Sequence, residues 1–186
     1  MIGGVVMNVN KELVVKASLG DESAFSELYA QCYNDLYKFA VYTLGNKEDA
    51  ADVVSDTFVD IWKGLPGIKK PEAFGAWAFR IISLRCKHEI GNLVKRRNTY
   101  NIEELIETPA ETSLDVEENI SESTALAFAL GKLEAEERMI VVLSVLYGYT
   151  NKEIGEMLGK PQGTVSSKLH RTYIKLREYL GGENFG

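Results

Sequence analysis

The sequence predicts an all-α protein of two small helical domains joined by an acidic, flexible linker. Three observations predict it. Apolar residues recur at spacings of three and four along most of the chain, the period of a helix buried on one face. Residues 99–121 break that pattern with seven acids, no base and Pro109. Two basic stretches flank that segment, one on either side.

Each helix has a start, a stripe and a stop. Asn10 and Asp21 are N-caps for a short first helix and a longer second one. Phe25, Leu28, Tyr29, Cys32, Leu36 and Ala40 form one apolar stripe on the second. Gly45-Asn46 ends it, and Asn46 caps a third helix over 47–63. That helix turns Val53, Val54, Phe58, Ile61 and Trp62 inward, while Asp49, Asp52, Asp56 and Asp60 share another face. Leu65-Pro66-Gly67 breaks the chain, and Pro71 suits the first turn of a fourth helix reaching about Arg97. Such a helix is roughly 40 Å long. Gly75 and Gly91 weaken it by about 1 kcal/mol each relative to alanine.

Like charges and low hydrophobicity make 99–121 a linker rather than a packed element. Helical pattern resumes near Ser123 with Leu126, Leu130 and Leu133. The run Met139 to Leu146 reads as a buried strand or a buried helix. Its charged flank, Glu134 to Arg138, and the lack of a second strand-like segment favour the helix. Thr150-Asn151-Lys152-Glu153 is a capping box that opens a short helix, and Gly159 closes it. Pro161 stands near the start of a last helix that runs to about Leu180.

Composition excludes several classes of protein. The 186 residues allow one medium domain or two small ones. Hydrophobic residues at 45% and charged residues at 26% are those of a soluble globular chain. Two cysteines, Cys32 and Cys86, build no disulfide framework and fit a reducing cytosol. The longest apolar run is too short to cross a bilayer, so no direct membrane insertion is expected. Residues Met1 to Met7 lack the basic start of a signal peptide, and Met7 is a second candidate initiator.

The net charge of −6 conceals a strong segregation. Residues 80–98 carry six bases and one acid, and residues 160–180 carry five and one. Residues 99–122 carry eight acids and no base. An acidic protein with two basic islands still binds nucleic acid, because the local field decides the contact.

Three motifs carry the functional reading. Thr150 to Leu176 has the form of a helix-turn-helix, whose second helix enters the major groove. On that helix Val165, Leu169 and Leu176 point inward, and Ser166, Ser167, His170 and Arg171 face DNA. Thr164 and Ser167 are small donors that tolerate close approach, and Lys168 and Lys175 add charge. The competing reading is a basic surface helix packed on its neighbour. The helix 71–97 follows Phe74, Trp77 and Phe79 with Arg80, Arg85, Lys87, His88, Lys95, Arg96 and Arg97, and within 80–98 only Glu89 opposes them. Aromatic rings beside cations suit unstacked bases next to phosphates, although Phe74 and Trp77 also suit a core. Third, the aspartate face is either a solvated surface or a protein-docking one. No metal site, cofactor or catalytic constellation is expected, since phosphate-loop, nucleophile-elbow and zinc motifs are all missing. His88 and His170 lack a carboxylate partner at the level of sequence. Cys32 reads as core and Cys86 as possible surface.

At these residues the chain resembles the extracytoplasmic-function (ECF) sigma factors of bacterial RNA polymerase. Asp49 to Trp62 resembles the polymerase-binding helix of sigma domain two. Phe74-Gly75-Ala76-Trp77-Ala78-Phe79-Arg80-Ile81 resembles that domain's promoter-melting helix. Glu153-Ile154 to Arg171 resembles sigma domain four. The resemblance implies domain two over 1–98, the linker over 99–121 and domain four over 122–186. It implies a non-enzymatic subunit that binds core RNA polymerase, recognises two promoter elements and helps melt the −10 element.

The same resemblance implies roles for individual residues. Asp49, Asp52, Ser55 and Asp56, with Trp62 in support, would dock on core polymerase. The loop 64–72, with Lys69 and Lys70, would hold a flipped −10 base. Phe74, Trp77, Arg80, Lys87, His88, Arg96 and Arg97 would complete the −10 surface. Thr164, Ser166, Ser167, Lys168, His170, Arg171 and Lys175 would read the −35 element. The acidic linker would thread toward the RNA path. Promoter DNA, core polymerase and an anti-sigma factor are the implied partners, with a monomer when free and a cytoplasmic location, any membrane link running through the anti-sigma factor. Leu84 departs from the family's frequent asparagine and offers no polar contact to a base edge. The rival reading is a stand-alone helix-turn-helix repressor or activator that dimerises through its first lobe.

Overall fold

The computed structural model describes residue 7 and residues 9–99 and 120–180, with side chains except at 96–99 and 120–124. Every helix or turn of helix in that range is α or 3₁₀, and no strand occurs among the described residues. In chain order the helices are α1 (Lys11–Ser18), α2 (Glu22–Leu44), α3 (Lys47–Gly64), α4 (Phe74–Thr99), α5 (Ile120–Gly131), α6 (Ala135–Val145), α7 (Asn151–Leu158) and α8 (Gln162–Tyr179). Residues 100–119 of the expected linker lie outside the described residues, while its two ends, Thr99 and Ile120-Ser121, are helical.

The capping chemistry sets the boundaries. The side chain of Asn10 accepts from the Glu12 N–H at 2.9 Å, and that of Asp21 accepts from Ala24 at 3.0 Å. Asn46 accepts from both Glu48 and Asp49, satisfying two of the free donors at the start of α3. Gly45 ends α2 with φ 75°, a left-handed conformation that costs glycine little. At α7 the Thr150 N–H donates to Glu153 at 2.8 Å while Thr150 Oγ1 accepts from the Glu153 N–H at 3.3 Å. Short 3₁₀ turns at Leu65–Gly67 and Pro71–Ala73 connect α3 to α4, each with a proline in its first turn.

Helices α1 to α4 enclose a core of Leu28, Leu36, Phe39, Ile61, Leu65, Phe74 and Ile82. Helices α5 to α8 enclose Met139, Ile140, Leu143, Ile154 and Val165. The two domains also pack on each other, α6 against α2 and α7 against α4. The Phe79 ring lies between Tyr147 and Tyr149, with ring centroids 4.5 and 5.6 Å away. The Tyr147 hydroxyl donates to the Asp35 carbonyl at 2.7 Å. Each domain alone has a modest core, and this seam adds buried aromatic surface to both.

Three expectations about the core change. Cys86 is fully buried, as Cys32 is, and burial pushes both thiols up to about 12. Trp62 faces outward on α3 because its ring packs against Phe25 at 4.7 Å rather than entering the core. Tyr29 is also exposed, at the edge of the α2–α3 pair, where its ring meets Phe58 at 4.2 Å. A helical stripe wider than the core it covers leaves its margins at the surface.

Candidate nucleic-acid interface

The helix-turn-helix is built on a glycine. A Cβ on Gly155 would lie 2.6 Å from the Lys160 carbonyl oxygen, so only glycine lets the turn fold back this tightly on α7. Gly159 then reverses the chain with φ 66°. Helix α8 buries Val165, Leu169, Thr172 and Leu176 against its neighbours. Thr164, Ser166, Ser167, His170 and Arg171 are left exposed on the opposite side. The Arg171 side chain bends back to the Ser167 carbonyl at 3.3 Å, and the Ser167 hydroxyl donates to Thr164 at 3.1 Å.

Two further cations of α8, Lys168 and Lys175, are engaged inside the domain, as is Lys160 just before the helix. Lys168 sits 3.0 Å from Glu136, Lys160 3.2 Å from the same carboxylate, and Lys175 2.6 Å from Glu137. Burial pushes the Glu136 and Glu137 carboxyls up, but the facing ammonium groups pull harder and hold both below the ordinary range. Lys168 and Lys175, singled out for DNA contact, therefore also staple α8 to the start of α6. The acids responsible, Glu134, Glu136 and Glu137, lie in the chain beside Ala135 but carry no sequence signal that they face α8.

On α4, Arg80 and His88 are exposed, as are Lys69 and Lys70 in the preceding loop. Trp77 is half-buried and packs over Gly64, where a Cβ would approach its ring to 2.7 Å. It lines an open groove of about 520 Å³ with Asp60, Ile81, Leu84, Arg85 and His88. Phe74 is withdrawn from the proposed DNA surface, because it is 1% exposed and cannot meet a base. Lys87 is half-buried, and its ammonium donates to the Leu158 carbonyl at the end of α7, 3.2 Å away. The side chains of Arg96 and Arg97 lie outside the described residues.

The cationic face of α4 has more opposition than Glu89. Arg85 reaches across to α3, placing Nε 2.6 Å from Asp60 and Nη1 3.1 Å from Asp56. The hydrogen bond from Arg85 holds the Asp60 carboxyl below its usual range. Of the aspartate face, Asp52 and Asp56 are exposed and Asp49 is half-buried. Ser55 is exposed but turns its hydroxyl to the Ala51 carbonyl at 2.9 Å. Along α2 runs an aromatic ladder of Tyr29, Tyr33 and Tyr37. Tyr33 stacks on Tyr29 and on Tyr37, with centroids 5.5 and 5.8 Å apart. Its signal is the spacing of four through Phe25, Tyr29, Tyr33 and Tyr37, of which only Phe25 and Tyr29 were taken into the apolar stripe.

Among the described residues no group of three or more His, Cys, Asp or Glu side chains is placed to hold a metal ion. No described helix is long and apolar enough to cross a membrane.

Residues 28–96 match the model of sigma-70 region 2, and residues 123–176 match that of sigma-70 region 4. The chain is an ECF sigma factor of the sigma-70 family. It is similar to the ECF RNA polymerase sigma factor SigM of Mycobacterium tuberculosis, 28% identical over 184 residues, covering 99% of this chain and 91% of SigM. The sigma factor CnrH of Cupriavidus metallidurans is 27% identical over 186 residues, 95% of this chain and 97% of CnrH. The fold matches CnrH solved in complex with the cytosolic domain of CnrY, with a TM-score of 0.66 over 95% of this chain and 100% of that one. As a sigma factor the protein is not an enzyme: it directs RNA polymerase to promoters. In this frame α2 to α4 are the helices of region 2, and α7 and α8 form the helix-turn-helix of region 4.

Proposed function

We propose that three surfaces divide the work of this sigma factor. The α3 face of Asp49, Asp52, Ser55 and Asp56, with Trp62 at its end, docks on core RNA polymerase. Helix α4 and the loop before it, through Lys69, Lys70, Trp77, Arg80, Lys87 and His88, hold the −10 element. Helix α8 reads the −35 element through Thr164, Ser166, Ser167, His170 and Arg171. The domain limits follow as 1–98 and 122–186, with the acidic segment between them.

The observation that carries this reading is the segregation of sign and burial on one chain. Asp52 and Asp56 stand exposed on α3, while small polar groups, His170 and Arg171 stand exposed on α8. An acidic face on a DNA-binding protein repels DNA and steers docking to a basic protein surface. Ser and Thr beside Arg on a groove-entering helix supply short donors to bases and phosphates.

An anti-sigma factor is the expected inhibitor, as the similarly folded sigma factor RpoE of Bartonella quintana (TM-score 0.65, 24% identical) has been solved with the anti-sigma factor NepR. The test is capture of bacterial core polymerase by the full chain, compared with Asp52→Lys/Asp56→Lys. Capture by the wild type and its loss in the folded double variant supports the docking face. No capture by folded wild type refutes it. With four to six phosphates contacted, log affinity of the polymerase–promoter complex falls against log salt with a slope of about −4 to −5.

A further inference from the structure

A lone exposed leucine is ordinary on a protein surface, but Leu84 is not alone. It is 54% exposed and shares one stripe of α4 with Trp77, Ile81 and His88, at spacings of four, three and four. These side chains line the open groove of about 520 Å³, together with Asp60 of α3 and Arg85. A cleft of that size takes a small planar ligand. Three of its walls are apolar, and the half-buried Trp77 is an aromatic face on which a ring can stack.

The polar groups of the groove are unequal. Arg85 and Asp60 answer each other at 2.6 Å, and Arg85 reaches Asp56 as well. That leaves the exposed His88 imidazole as the polar group of the groove outside the ion pair. Its hydrogen bonding is set by its own helix. The Asn92 amide nitrogen donates to Glu89 Oε2 at 3.2 Å and stands 3.3 Å from His88 Nδ1. A carboxylate only accepts, so the Asn92 nitrogen faces both groups and Nδ1 is the acceptor. The neutral ring therefore carries its proton on Nε2 and is a donor there. Around the groove, Arg80, Lys69 and Lys70 are exposed cations that suit a phosphate backbone.

We propose that this groove selects one unpaired thymine of the −10 element, with Leu84 as a specificity-determining residue that packs on the C5-methyl group. The inference rests on the promoter reading above and names the base that this part of α4 takes. Trp77 stacks on the ring, Ile81 and Leu84 meet the methyl, and His88 donates from Nε2 to O4. Among the four bases only thymine carries both the methyl and an O4 acceptor beside it. Cytosine turns an N4 amino donor toward His88 instead. An asparagine at position 84 would offer a polar edge, so leucine changes which base is preferred as well as how tightly it is held.

The test uses the full chain bound to core RNA polymerase. The probe is a DNA pool with a random duplex upstream and a random unpaired −10 window. Bound molecules are sequenced, and each selected thymine is then replaced by deoxyuridine, which lacks only the methyl. Wild type should select thymine at one position and bind the deoxyuridine probe about four-fold more weakly there. Leu84→Ala should bring that ratio to about one. His88→Leu should keep the ratio and lose discrimination against cytosine. Both residues are exposed, and a thermal melt confirms that each variant folds. Selection without a thymine preference, a wild-type ratio of one at every selected thymine, or a ratio unchanged by Leu84→Ala overturns the proposal and leaves the promoter reading standing. A pool from which the polymerase-bound chain enriches no sequence refutes the promoter reading itself.

Discussion

The Lys175 ammonium of α8 lies 2.6 Å from Glu137 Oε1, on a carboxylate that is almost fully buried at the start of α6. The same carboxylate accepts from the Glu134 N–H at 3.0 Å through its other oxygen. One acid thus caps α6 and anchors α8. A basic helix that looks uniform in sequence is divided into cations that hold the domain and cations that face outward.

Lys175→Ala is expected to lower the thermal midpoint, because it leaves a buried carboxylate without its ion partner. The pH dependence has a definite sign. Burial raises the Glu137 carboxyl, but Lys175 and the Glu134 N–H lower it further, to below 4.5 overall. Stability from this group is complete above that unfolded value and is lost as pH falls through the lower folded value. Thermal melts across the acid range should show the wild-type slope flattened in Lys175→Ala. An unchanged acid slope would remove Glu137 from this role.

Arg171 and Lys168 should separate in a salt titration. Arg171 is exposed on the reading face, and Lys168 is held 3.0 Å from Glu136. Arg171→Ala is expected to weaken promoter binding and reduce the salt slope by about 0.9, the share of one phosphate. Lys168→Ala should leave most of the slope intact and lower the melting temperature of the chain. Equal slope losses from both would show that Lys168 leaves Glu136 when DNA arrives.

Gly155→Ala is expected to destabilise the helix-turn-helix. The new methyl group would meet the Lys160 carbonyl at 2.6 Å, and that atom is backbone rather than a side chain that can swing aside. Overpacking of this kind costs about 1–3 kcal/mol, offset by up to about 1 kcal/mol of helix propensity. Urea unfolding of the full chain measures the difference, and a stabilised variant would mean that the turn relaxes freely.

Arg85→Ala should return Asp60 toward its ordinary value of 3.8, since the Arg85 hydrogen bond is the main cause of its depression. Carboxyl titration by NMR reads this directly. The pair is about one-third exposed on each side, so the stability change should stay below about 1 kcal/mol. Core-polymerase capture should persist, because Asp52 and Asp56 remain. A static Asp60 would place the cause elsewhere.

Much of the fold was legible because helix starts and stops are local chemistry. Asn10, Asp21, Asn46 and Thr150 cap the helices they were expected to cap. Gly45 and Gly159 end theirs in left-handed conformations. The exposed face of α8 was legible for the same reason: Val165, Leu169 and Leu176 at helical spacing leave Ser166, Ser167, His170 and Arg171 on the other side. For Phe74 the i, i+3 spacing with Trp77 favoured a core ring while the family resemblance set it on the DNA surface, and its burial decides for the core. Arg85 was listed with the DNA-facing cations, but its partners Asp56 and Asp60 lie more than twenty residues away in the chain.

The sequence by itself determined the helices, their polar and apolar faces, the two domains and the acidic segment between them. These depend on periodicity and caps, which act within a few residues. Only the tertiary structure decided which charges are spent internally and which remain for a partner. It alone brought Lys87 to Leu158, Tyr147 to Asp35 and Lys175 to Glu137, across 71, 112 and 38 residues. A charge counts toward recognition only if no nearer group neutralises it, and nearness between distant residues is set by packing, which no local pattern encodes.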